Sequence, residues 1–285
     1  MDLVAAIIAL VAVKTGGQPA DQKHPFGHGK IENISGTVEA VLIFVAAAWI
    51  VYEAIRKLVH PQEIEGPGWG VVVMGVSAAA NLVVSQLLFR VGRKTDSIAL
   101  QADGWHLRTD VYTSLGVMAG LAIIWTGESA YRWTGAEILR DLHWVDPVAA
   151  LAVAMLIIHA AWKLTAQSAG DLLDRKLPAE EESRIREVLA RFVPRIRGFH
   201  RMRTRKAGPM RFIEFHIFVD GAVTVRESHA LAHEVAARIG EQLPGSSVIA
   251  HVEPCSGDCT RTCADDCLLG ADQRAKVRGT SPPGP

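Results

Sequence analysis

The chain has 285 residues, 49% of them hydrophobic and only 21% charged, below the roughly 25% charged residues of an ordinary soluble domain. Its formal net charge is zero, and with no basic stripe carrying interleaved aromatics nothing points to nucleic acid. All four cysteines, Cys255, Cys259, Cys263 and Cys267, sit together near the C-terminus, which argues against a disulfide framework joining distant parts of the chain.

The first apolar run, Leu3–Val13, is too short to span a bilayer and has neither a basic leader nor a small-residue cleavage site. It reads as the back half of a spanning helix. Four later segments reach the ~20 apolar residues a span requires: Ile34–Ile55, Gly68–Phe89, Ile98–Trp125 and Val145–Leu164. If the segments alternate, Lys23, Lys30, Arg90, Arg93, Lys94, Lys163, Arg175 and Lys176 fall on one side, and Arg56, Lys57, Arg132 and Arg140 on the other. That bias puts the C-terminal half in the cytoplasm. Beyond Pro178 the pattern turns soluble, with helices over Ala179–Phe192 and Glu227–Leu243 and strands over Gly198–Thr204, Arg211–Asp220 and Ser247–Val252. The α-β-β-α-β order predicts one small sheet against two helices. From Gly270 the Gly, Pro and basic residues read as disordered. The expected division is residues 1–170 in the membrane, 171–254 as a cytoplasmic domain, and 255–285 as a cysteine-containing disordered tail.

Within the third of those four segments, Ala102–Asp110 interrupts an apolar helix with Asp103, His106, Arg108 and Asp110. His106 and Asp110 are four apart and share one helix face. Ionisable groups at membrane depth are costly and usually functional, although such a pair can also simply be satisfied by neighbouring helices. Imidazole with carboxylate and no thiolate suits zinc, iron(II) or cadmium, whereas carboxylates alone lean toward manganese or magnesium. Asp2, heading the first run, brings a second carboxylate from another helix. Three ligands and an open position describe a site that binds and releases metal. Asp103 reads as structural, and His159, alone in the last helix, as a packed polar residue. In the loop, Asp21, His24 and His28 lie within eight residues turned by Pro25 and Gly27 and can converge on one ion.

The stretches Gln18–Asp21 and His24–Lys30, Ala102–Asp110, Leu172–Pro178 and His251–Pro254 resemble, in order and spacing, the cation diffusion facilitator family. The resemblance implies a multi-pass α-helical membrane domain of six helices, here about five with the first missing and the second truncated. A small α+β ferredoxin-like cytoplasmic domain follows. It also implies a homodimer in the lipid bilayer of the cell (inner) membrane, and a secondary transporter, not an enzyme, that exchanges divalent metal for protons. Zn2+ or Fe2+ would be substrate and regulatory ligand, with no catalytic cofactor. Asp2, His106 and Asp110 match transport-site ligands. The remaining ligand would lie upstream of Met1, so a start codon assigned too late is expected, and the chain as written should transport poorly. Asp21, His24 and His28 match the family's loop site, and Lys30 would pair with Asp174 or Asp171 as a charge interlock below the last helix. His216, His229, His251 and Glu253 match ligands of regulatory metal near the dimer interface, while His233 stands where the family often has Asp.

The cysteines repeat every four residues. On a helix Cys255 and Cys267 would lie about 18 Å apart, too far for one tetrahedral ion. A loop turning at Gly257 could wrap zinc or copper(I), but an incidental reduced tail is the simpler reading. A non-transporting membrane metal sensor, an inactive fragment and an intramembrane metalloenzyme are the rival readings, the last disfavoured by the lack of an added base or nucleophile beside His106 and Asp110.

Overall fold

Apolar runs in a bilayer must close their backbone hydrogen bonds within themselves, and among the described residues of the first half of the chain helices do this. In the computed structural model, which describes residues 2–60, 69–134, 144–255, 257 and 266–280, these are α1 (Asp2–Gly16), α2 (Lys30–Val59), α3 (Trp69–Thr95), α4 (Ile98–Thr134) and α5 (Val145–Leu172). Three described helices, Lys30–Val59, Val71–Thr95 and Val145–Leu172, are long and apolar enough to cross a membrane. α4 is longer still at 37 residues and carries the polar stretch in its first half.

α2 and α5 form the centre of this unit, with α4 packed on both and α1 against α2 and α4. Small residues permit the close approach. Ala40, Ile43 and Ala47 of α2 meet Ala102 of α4 and Ile157, Ala161 and Leu164 of α5. A Cβ on Gly36 would lie 2.7 Å from Ser168 Oγ. The outward faces show Val45, Trp49, Val73, Val76, Leu156 and Trp162, as expected where the solvent is lipid.

Polar contacts fix how the helices run. Near one end Asn33 Nδ2 donates to Asp171 Oδ2 at 3.2 Å and the Ser97 hydroxyl donates to Glu32. At the other end Lys57 Nζ lies 3.0 Å from Asp146 Oδ2. α2 and α4 are therefore parallel to each other and antiparallel to α5.

The second unit, Leu173–Pro285, contains α6 (Ala179–Ala190), β1 (Gly198–Ala207), β2 (Met210–Val219), α7 (Val225–Gln242), β3 (Ser246–Pro254) and α8 (Ala271–Thr280). Gly208, at φ +57°, allows the tight turn that makes β1 and β2 antiparallel, and α7 is the crossover that lays β3 parallel to β2. Alternation along β2 sends Ile213, Phe215, Ile217 and Val219 into a core with Ile185 and Leu189 of α6 and Leu231, Val235 and Ile239 of α7. Val248, Ala250 and Val252 of β3 pack on the same core. Both helices thus cover one face of the sheet and leave the other open.

The C-terminal segment differs from expectation. The disordered tail read from its composition contains α8, and Leu269 is buried. Phe199 N–H donates to Asp266 O and Leu268 N–H to Arg197 O, so this segment follows the edge of β1. Leu268 and Leu269 supply the apolar contact that a composition count over a Gly- and Pro-rich stretch averages away.

Candidate metal centres

In the membrane unit His106 is 6% exposed and Asp110 lies one turn further along α4. The hydroxyls of Thr109 and Thr113 donate to the backbone oxygens of His106 and Asp110 at 2.6 and 2.9 Å, so both threonines satisfy the helix and leave the imidazole and carboxylate to other partners. α1, which begins at Asp2, packs against α4; the side chain of Asp2 lies outside the described residues. Asp103 is half-buried, and Glu39 of α2, close enough to act on it electrostatically, is fully buried and accepts a hydrogen bond from Ser35 Oγ at 3.4 Å. Glu39 escaped the sequence reading because it sits inside an otherwise apolar run. His159 is exposed on the outer face of α5 and is not packed as expected, since its neighbours on that stripe, Leu156 and Trp162, also point outward.

The loop residues converge as read. Asp21 Oδ1 accepts from the N–H groups of Lys23 and His24 at 2.8 and 2.6 Å, and the same carboxylate lies 3.2 Å from His24 Nδ1 and 3.5 Å from His28 Nε2. Gly27, at φ +81°, closes the turn. The His24 N–H holds the Asp21 carboxyl below its ordinary value, against a smaller upward push from burial. One ligand atom from each of the three residues falls within 4.8 Å of the others. His28 Nδ1 is buried without a hydrogen-bond partner among the described residues, which leaves that imidazole able to turn toward an ion.

On the open face of the sheet the register lines up His200, His216 and His251 across β1, β2 and β3. Glu253 projects from β3 two residues on, the same face by strand alternation. His216 Nδ1 lies 2.7 Å from Glu253 Oε1, His200 Nε2 2.9 Å from Oε2, and His251 Nε2 3.8 Å from Oε1. Burial pushes the Glu253 carboxyl up, but hydrogen bonds from His216 and His200 outweigh it and hold the carboxyl below its usual range. His200, His216 and Glu253 bring three ligand atoms within 4.8 Å, which fits a divalent ion with imidazole and carboxylate donors.

His200 was missed in the sequence for a definite reason. Counting back from Ala207↔Met210 pairs His200 with Ile217, but a bulge between His200 and Arg203 moves its partner to His216. The extra residue also turns His200 from the core face to the open face.

The remaining positions stay apart from these clusters. His229 and His233, ring centroids 4.4 Å apart, stand exposed on α7, on the helix side of the sheet and away from the histidine row. Lys30 Nζ donates to Leu172 O at 3.4 Å, and Asp174 Oδ1 lies 3.5 Å from Arg205 Nη1. Cys255 is anchored by its N–H to Val219 O and Cys267 bridges to Gly198. These two contacts put the cysteines on opposite edges of a three-stranded sheet, too far apart for a disulfide. Cys259 and Cys263 lie outside the described residues.

A helical membrane unit with an imidazole–carboxylate pair inside it, joined to a small α/β domain with histidines and a carboxylate on its open face, defines a membrane metal-handling protein. Residues 1–173 match the family described as cation efflux transmembrane domain, and residues 177–255 match cation efflux protein, cytoplasmic domain. The chain belongs to the cation efflux transporter family, so it is a membrane protein whose C-terminal domain is cytoplasmic. An uncharacterised transporter of Synechocystis sp. is 35% identical over 89% of this chain and 78% of its own length. The cation-efflux pump FieF of Cronobacter sakazakii is 32% identical over 90% of this chain and 80% of its own. Among solved structures, the metal-bound C-terminal domain of the CzcD transporter from Thermotoga maritima is 34% identical, covers 26% of this chain and 87% of that one, and has a TM-score of 0.26.

Proposed function

We propose that the protein exports a divalent transition-metal cation, zinc, iron(II) or cadmium, from the cytoplasm in exchange for protons. The supporting observation is the buried His106, one turn from Asp110 on the helix that packs against α1. Asp2 is the third ligand of this reading. Imidazole binds metal only when neutral and carboxylate only when ionised, so protons and metal compete for the same atoms. His106 is the natural proton carrier, because the same imidazole nitrogen can hold either the metal or a proton but not both. Metal enters from the cytoplasmic side, and protonation from the outer side displaces it.

Asp21, His24 and His28 serve as a loop site near the cytoplasmic face. His200, His216, His251 and Glu253 take a regulatory ion in the cytoplasmic domain, and His229 and His233 contribute near the interface of a homodimer. Metal held there draws the protomers together and biases the cycle by population shift. Lys30 and Asp174 act as the charge interlock of the dimer. Zinc uptake by inverted vesicles tests the reading: His106→Ala and Asp110→Ala should each abolish uptake while the protein still inserts. Wild-type flux from either variant would refute the assignment.

A further inference from the structure

We infer that Glu39 and Asp103 form an entry subsite, which holds the divalent cation on the cytoplasmic side of His106 before it reaches the transport ligands; the inference deepens the transport reading above and rests on it. The two carboxylates come from α2 and α4, which run side by side from the cytoplasmic end. At that end the Ser97 hydroxyl donates to Glu32, and a Cβ on Gly36 would lie 3.0 Å from Ile98 Cγ2. About one turn deeper Ala40 of α2 and Ala99 and Ala102 of α4 are buried, and their small side chains let the helices approach closely. There Glu39 and Asp103 are near enough to act on each other electrostatically. Asp103 precedes His106 by one turn, so it stands on the same face of α4, about 4.5 Å nearer the cytoplasm, and it acts on His106 as well.

Glu39 is the unexpected member of the pair. It is fully buried within an apolar helix, where an ionisable side chain is costly and usually functional. Ser35 Oγ donates to one carboxylate oxygen at 3.4 Å. The other, Oε2, is buried with no hydrogen-bond partner among the described residues. A pin between helices would close that oxygen onto a donor of α4.

The chemistry follows from the charges. No lysine or arginine among the described residues pairs with Glu39 or Asp103. Two facing carboxylates repel each other, and a carboxylate taken out of water needs something positive beside it. A divalent cation between them meets both needs. The donors of this subsite are oxygens only, from Glu39, Asp103 and Ser35, and such a set holds zinc or iron(II) less firmly than one with imidazole. The ion therefore passes on to His106 and Asp110.

The test is zinc uptake by inverted vesicles, whose outer face is the cytoplasmic one. Glu39→Gln keeps the size of the side chain and an oxygen for Ser35 but removes the charge. It should raise the KM for zinc roughly tenfold, the effect a unit charge a few ångström away has on a divalent ion even in water, with a smaller change in kcat. Asp103→Asn should do the same, and the double variant should be little worse than either, because both side chains serve one ion. A fall in kcat at an unchanged KM would mean a structural role and overturn the inference, as would wild-type kinetics. Binding to the purified full chain in detergent reads the subsite without flux. Asp103→Cys puts a thiolate, a better ligand for cadmium, in place of the carboxylate. Added cadmium should then give thiolate-to-metal absorption beyond that of wild type, which Glu39→Gln in the same chain weakens and His106→Ala leaves in place. Absence of the added absorption, or its loss with His106→Ala, would also overturn the subsite. Flux from His106→Ala equal to wild type would instead defeat the transport reading itself.

Discussion

Replacing His200 with alanine bears most directly on the cytoplasmic centre, because nothing but the β1 bulge places that residue there. Without metal the cost is one hydrogen bond to a carboxylate, between side chains 16% and 27% exposed. Partial exposure brings this to about 1 kcal/mol. With zinc the loss is larger. The cluster keeps Glu253 and His216, but its third imidazole is then His251, whose Nε2 lies 3.8 Å from Glu253 Oε1 and which must move to ligate. Removing even an outer-shell partner of a metal costs 10- to 100-fold, so the loss of His200 should weaken zinc binding by about a hundredfold or more, near 2.7 kcal/mol. The assay is zinc titration of the full chain followed by hydrogen exchange in peptides from β1 to β3. It separates this site from those in the membrane unit. Zinc protection of these peptides at an unchanged midpoint in His200→Ala would refute the argument.

Other outcomes follow from the same reasoning. Arg211 grips Glu181 through two bonds of 2.8 Å, tying β2 to α6. Arg211→Ala should cost about 1–2 kcal/mol in urea unfolding at pH 7. The Arg211 hydrogen bonds hold the Glu181 carboxyl below its ordinary value. Its stabilisation is thus full above the unfolded-state value and lost as pH falls through the folded-state value. The gap between variant and wild type should close in acid, and a gap equally wide at pH 7 and pH 3 would contradict the pairing. In the proposed transport site, replacing His106 by Asp makes all three of the assigned positions, 2, 106 and 110, carboxylates and should shift selectivity toward manganese. An unchanged order in a metal-competition flux assay would mean that other residues set it.

Most of the fold was legible because the periodicities that encode it are local. The apolar runs of α2, α3 and α5, and the alternation in β2, fall within two residues to a turn or two of the observed elements. The loop triad was legible too, since Asp21, His24 and His28 meet within one turn of chain. What stayed hidden depends on contacts between distant segments. His200 reaches the open face only through a bulge, and Glu39 is set inside an apolar run where its meeting with Asp103 depends on α2 packing along α4. The Lys57–Asp146 pair joins residues 89 apart. His159 reads as a packed polar residue in sequence because hydropathy gives no direction around a helix, and only packing shows that its stripe faces outward.

The central claim is that metal and protons exchange on the same few atoms, with His106 among them. Simultaneous recording of zinc uptake and lumenal pH in inverted vesicles reads this directly. The account predicts that zinc entry drives proton exit in a fixed ratio, that a proton gradient alone accelerates zinc entry, and that His106→Ala loses both signals together. Zinc entry with no proton movement would contradict it.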